Sequence, residues 1–156
     1  MNPVDAKALD FCTLQPVVMA HENSETKVPS EFVKTWYKWE EVLRLNLARN
    51  RSQKLKRENA DQKSYDAPEY PSDAVAAAKT ALTMDSPLDA EFFLDKARWN
   101  AIETFQGINY FSENTIYAYL LKLQLMERRQ AFNMEEGFAE YKTLYASILE
   151  NAGEPK

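Results

Sequence analysis

The chain has one cysteine, Cys12, and one histidine, His21, in 156 residues. A lone cysteine rules out an intrachain disulfide framework, and its scarcity fits a reducing compartment. One Cys and one His cannot supply a zinc ligand set, and no pair of Glu-x-x-His motifs is present for a di-metal bundle. With only three glycines, Gly107, Gly137 and Gly153, standing apart and no Gly-Lys-Ser/Thr, there is no P-loop. His21 lies in a polar stretch with no partner suggested by spacing, and base catalysis needs a second, orienting group. Cys12 falls on an apolar stripe, which favours a buried structural thiol over a nucleophile. The expectation is a protein that is not an enzyme and holds neither metal nor cofactor.

Long apolar runs are also missing. The longest, 116–126, is broken by Lys122 and Gln124 and falls far short of the roughly 20 residues that span a bilayer. The N-terminus lacks the charged start and apolar run of a signal peptide. These features predict no direct membrane insertion and a cytoplasmic location, peripheral to a membrane only through a partner complex. A net charge of -5 argues against nucleic acid as the partner, because such binders carry a basic excess. The scarcity of glycine, with seven prolines, disfavours a turn-rich all-β fold.

What is present is helical periodicity. Apolar residues at 45% and charged residues at 28% give an ordinary globular balance, and the length suits one core without disulfides or metals. Residues 1–29 form an N-terminal segment with a short helix over 5–14, placing Ala8, Leu9 and Cys12 inward, and Pro16 ends it. Pro29-Ser30 reads as a helix start. From there Phe32, Trp36, Trp39, Leu43 and Leu47 recur at spacings of three and four on one face, continuing to about Arg57. A polar loop with two prolines follows over 58–71. Ser72 is placed to cap an alanine-rich helix to about Met84. Ser86-Pro87-Leu88-Asp89 is a stronger start, with a capping serine, proline at the first helical position and an acid in the first turn. Gly107 is placed to end that helix. Ser112 opens another, in which 116–126 is apolar on nearly every side and is expected to be the most buried element. Asn133-Met134-Glu135-Glu136 has the spacing of a capping box, followed by one stripe of Met134, Phe138, Tyr141, Tyr145 and Ile148. The prediction is an all-α, single-domain bundle of about five helices over 30–150, with a frayed tail at 151–156.

The basic segment Arg44, Arg49, Arg51, Lys54, Lys56 and Arg57 admits three readings. It is a solvated helical end whose cations favour the C-terminal dipole, a docking surface for an acidic partner, or a nucleic-acid contact, the last weakened by the net charge. Arg44, Arg49, Arg51, Lys54 and Arg57 are the candidate partner-binding residues, because a guanidinium makes directional paired hydrogen bonds. Trp36, Tyr37 and Trp39 are not expected all to face one core, leaving at least one partly exposed. Tyr117, Tyr119, Tyr141 and Tyr145 are expected to hydrogen-bond inside the bundle rather than hold a cofactor. Arg128 and Arg129 are placed to cap the last carbonyls of their helix or to meet a partner.

Two stretches carry a resemblance. One is Trp36-Tyr37-Lys38-Trp39-Glu40-Glu41 followed by Leu43-Arg44-Leu45-Asn46-Leu47-Ala48-Arg49-Asn50-Arg51. The other runs from Asp95-Lys96-Ala97-Arg98-Trp99 through Tyr110-Phe111 to Tyr119-Leu120-Leu121-Lys122-Leu123-Gln124-Leu125-Met126-Glu127-Arg128. Together they resemble an uncharacterised bacterial family encoded in V/A-type ATPase operons, which looks like a counterpart of the central-stalk subunit called C, or d. The resemblance covers most of 30–150, and its motifs are leucine-rich helical patterns. Many members begin with an aromatic, apolar segment that this chain does not show, so no function of that segment is carried over. The resemblance implies a non-catalytic helical adaptor between membrane ring and rotating shaft. Such a subunit couples ATP hydrolysis or synthesis to ion transport, has other V-type ATPase subunits as partners, and places Arg44, Arg49 and Arg51 at contacts with its neighbours.

Overall fold

The structure, a computed structural model, describes residues 7–15, 30–54, 69–132 and 134–152. Among them the chain is all-α and no strand occurs. After a helical turn at 7–9 come α1 (Glu31–Lys54), α2 (Ser72–Ala81), α3 (Pro87–Gln106), α4 (Glu113–Gln130) and α5 (Met134–Ala152). The chain divides into two compact units, 1–125 and 126–156, so a boundary falls inside the 30–150 stretch predicted as one bundle. Residues 55–57, at the expected end of the first long helix, and Asn133 of the expected capping box lie outside the described residues.

In the first unit α1 is the central element, packed against both α2 and α3, which also pack on each other. Its buried side chains run from Val42 and Asn46 through Trp39, Phe32, Leu43, Trp36, Leu47, Glu40 and Val33 to Tyr37. At 100° per residue they cover an arc of roughly 220°. The breadth of that arc corrects two expectations. Trp36, Tyr37 and Trp39 are all buried, because a helix covered from two sides hides more than one stripe. α4, not the most buried element, covers only Tyr117, Ala118, Leu121 and Leu125, while Ile116, Tyr119, Leu123 and Met126 are exposed.

The tryptophan rings stack, with Trp36 and Trp39 centroids 5.9 Å apart. The Trp39 indole N–H donates to Asp73 Oδ2 at 2.8 Å, tying α1 to α2. Phe32 packs edge-on to Phe105 and tilted against Tyr117, joining α1, α3 and α4. The small side chains Ala74, Ala77, Ala78 and Ala81 let α2 approach closely.

Residues 11–15 have no regular structure, and side chains from two helices satisfy their backbone. The Tyr37 hydroxyl donates to the Phe11 carbonyl, Trp36 Nε1 to the Thr13 carbonyl at 3.3 Å and the Arg44 guanidinium to the Leu14 carbonyl. Gln124 donates to the Cys12 carbonyl at 2.7 Å and accepts from the Leu14 amide at 3.1 Å. Irregular backbone can lie against a core only when its polar groups are paired in this way.

The helix ends follow local chemistry. Ser86 Oγ accepts from the Asp89 amide at 3.2 Å with Pro87 in the first turn, as predicted. Gly107 ends α3 at φ 71° and ψ -164°, as its position predicts. Ser72 is not the cap of α2: Pro71 holds that position without a side-chain hydrogen bond, and Ser72 is already helical.

In the second unit, Phe138, Tyr141, Leu144, Tyr145, Ile148 and Leu149 of α5 are all exposed among the described residues, with Lys142 lying over the Phe138 ring. Tyr119, Tyr141 and Tyr145 likewise stand outside any core, and only Tyr117 of the four tyrosines is buried.

Candidate functional site

Glu40 lies within the buried arc of α1, and Arg98 in the middle of the buried face of α3, between Leu94 and Ala101. Arg98 donates from Nε to Glu40 Oε2 and from Nη2 to Glu40 Oε1, both at 3.1 Å, a two-point clamp. Arg98 Nη1 reaches Asp95 Oδ1 at 3.1 Å, and Arg44 Nε reaches Glu40 Oε1 at 2.7 Å. Burial pulls the Arg98 guanidinium down, but Glu40 and then Asp95 more than offset it and hold it above its ordinary value. Two carboxylates thus balance the buried Arg98 guanidinium and the partly exposed Arg44. These groups bond to one another, and their chemistry is that of a fastener between α1, α3 and the 11–15 segment. The two stretches that carry the resemblance meet here, through Glu40 and Arg98.

A cleft of about 420 Å³ lies between α2 and α3, with Trp39, Ala77 and Ala101 on its floor and Thr80, Lys96 and Asn100 on its walls. Among the described residues no group of three or more His, Cys, Asp or Glu side chains is arranged to hold a metal ion. Cys12 is buried, and desolvation pushes its thiol up to about 11. His21 lies outside the described residues.

Among the described residues, the predicted partner-binding residues have different surroundings. Arg44 is half-buried and bonds to Glu40 and the Leu14 carbonyl. Arg49 is exposed. Arg51 is exposed and stands 3.7 Å from Glu91. Lys54 donates to the Leu82 carbonyl at 3.3 Å, so its charge serves the C-terminal end of α2. Arg57 lies outside the described residues. Arg128 lies over the Phe132 ring, 5.6 Å from its centroid.

The α3–α4 connection is a second candidate surface. There Ile108 is 94% exposed, Tyr110 69% and Phe111 100%, three large apolar side chains in water. The loop is built, not loose. Asn109 Oδ1 accepts the Phe111 amide at 3.1 Å, and the Asn109 carbonyl accepts the Ser112 amide at 3.3 Å and the Ser112 hydroxyl at 2.8 Å. A surface cluster ties the flanking helices together: Trp99 Nε1 and Lys122 Nζ both donate to Glu103 Oε1, at 2.9 and 3.1 Å, and Lys122 also lies over the Trp99 ring. The bond from Lys122, then that from Trp99, holds the Glu103 carboxyl below its usual range. The available signal was three large apolar residues in a gap between Gly107 and Ser112 too short for a helix to bury them.

No protein-family model, no curated protein and no solved structure matches the chain.

Proposed function

We propose that this protein is a non-catalytic helical adaptor that docks on another protein through the 107–112 loop, and that it serves as a V/A-type ATPase subunit of the central stalk. The observation that carries the adaptor reading is the loop itself. Exposed aromatic and aliphatic side chains are the kind that dominate interface energies, and here they stand on a backbone tied by its own hydrogen bonds. The ATPase setting rests on the resemblance of 36–51 and 95–128, and with it the coupling of ATP hydrolysis or synthesis to ion transport. Arg49 and Arg51 remain as a secondary contact suited to an acidic partner. A free-standing adaptor unrelated to the ATPase is the second reading, favoured by the same loop, whose chemistry specifies an apolar socket and not its owner.

Affinity purification of the chain from its native cell separates the two. V-type ATPase subunits should be recovered with the wild type and lost with the double variant Ile108→Ser, Phe111→Ser, which touches no core residue. A preparation free of ATPase subunits would sink the ATPase reading. One reproducible partner of another kind, released by the loop variant, would establish the second. Undiminished recovery with the loop variant would remove the loop from either.

A further inference from the structure

From α5 alone we infer that the chain self-associates, two copies pairing their α5 helices antiparallel through the exposed apolar face. This holds or fails independently of the adaptor reading. Phe138, Tyr141, Tyr145 and Ile148 recur at spacings of three, four and three, the period of a helix–helix seam. Leu144 and Leu149 flank the seam, and all six side chains are between 54% and 62% exposed. At roughly 200 Å² per large side chain, they offer about 700 Å² per helix, or about 1,400 Å² for a pair, within the range of stable interfaces. A 19-residue helix with such a face gains most of its stability from packing it.

The sequence of the face favours a second copy in one orientation. A two-fold axis passing beside Thr143 sets Tyr141 opposite Tyr145 of the partner subunit and Phe138 opposite Ile148 of the partner subunit, so every seam layer is filled. Tyr141 and Tyr145 already stack on one helix, with centroids 6.1 Å apart, and the pairing joins two such plates into a four-ring centre. Charge selects the direction. Glu135, Glu136 and Glu140 crowd the first half of α5, with Lys142 just before its midpoint, while the second half carries Glu150 alone. A parallel pair would set the three acids against three more, whereas an antiparallel pair sets them beside a half with a single acid and opposes the helix dipoles.

The test is the mass of the full chain in solution. Light scattering or sedimentation at 100 µM should give about 36 kDa, twice the 18.0 kDa of one chain, and Tyr141→Glu with Ile148→Glu should return it to the single-chain mass. A single-chain mass for the wild type at 100 µM overturns the inference, as does a dimer that survives the double substitution. Orientation is read from nitroxide labels on Glu150→Cys. With a rise of 1.5 Å per residue, an antiparallel pair separates them by more than about 20 Å, and a parallel pair keeps them within about 15 Å. The shorter distance overturns the antiparallel arrangement.

Discussion

Arg98 of α3 grips both carboxylate oxygens of Glu40 on α1 at 3.1 Å, and neither side chain is more than 7% exposed. Removing one partner of such a pair strands a charge out of water, which costs far more than the pair contributes when intact. Glu40→Ala should therefore lower unfolding stability by about 3–5 kcal/mol, because Arg98 and Arg44 lose a shared acceptor. Urea denaturation followed by tryptophan fluorescence measures this. A loss below about 1 kcal/mol would mean that the charges find water or other partners.

Gly107 tests the backbone that aims the loop. Its φ of 71° and ψ of -164° lie in a region almost reserved for glycine, while a Cβ there would meet nothing within 4 Å. Gly107→Ala should cost about 1–3 kcal/mol through backbone strain alone. A thermal midpoint unchanged from wild type would show that the turn relaxes freely.

Trp39 separates packing from hydrogen bonding. Trp39→Phe keeps a large ring but deletes the donor to Asp73, and should cost about 1–2 kcal/mol. Trp36→Ala, which empties a fully buried site, should cost about 3–5 kcal/mol. Chemical denaturation of both variants should preserve that order, and equal losses would contradict it.

High pH should weaken the fold in a defined window. Burial raises the Cys12 thiol from 9.0 to about 11. Burial, with the nearby Cys12 charge second, raises the Tyr37 hydroxyl from 10.0 to about 12. Both are neutral when protonated, so the folded state holds their protons more tightly than the unfolded chain does. Their contribution is intact below about pH 9 and is lost as pH rises toward 11 and 12. Urea midpoints should fall across that range, and Cys12→Ala should flatten the first part of the decline. A midpoint constant from pH 8 to 11.5 would refute the assignment.

Much of the fold is legible in the residues. Ser86-Pro87 and Gly107 mark their helix ends because capping is local chemistry, needing only neighbours in sequence. The widths of buried faces are not local. The α1 spacing shows one stripe, but the irregular 11–15 segment also lies against the helix, and Tyr37, outside the stripe, is buried where it donates to the Phe11 carbonyl. Periodicity also reports that 116–126 and α5 are apolar without reporting whether anything lies against them. The clearest missed signal was charge within apolar faces: Glu40 among Trp36, Tyr37 and Leu43, and Arg98 between Leu94 and Ala101. Opposite charges in those positions on two helices are a sequence trace of a buried clamp. The basic segment misled because cations close in sequence point to different tasks in space, Arg44 inward and Lys54 to the end of α2.

Cys12 is 5% exposed, and its thiol stays protonated at neutral pH. Thiol-selective reagents act on the thiolate, so this side chain should be silent toward maleimides while the protein is folded. The chain thus provides a clean background for chemical mapping. A cysteine introduced at Phe111, at Arg49 or along α5 would be the one reactive handle, able to carry a fluorophore or cross-linker without first removing the native sulfur.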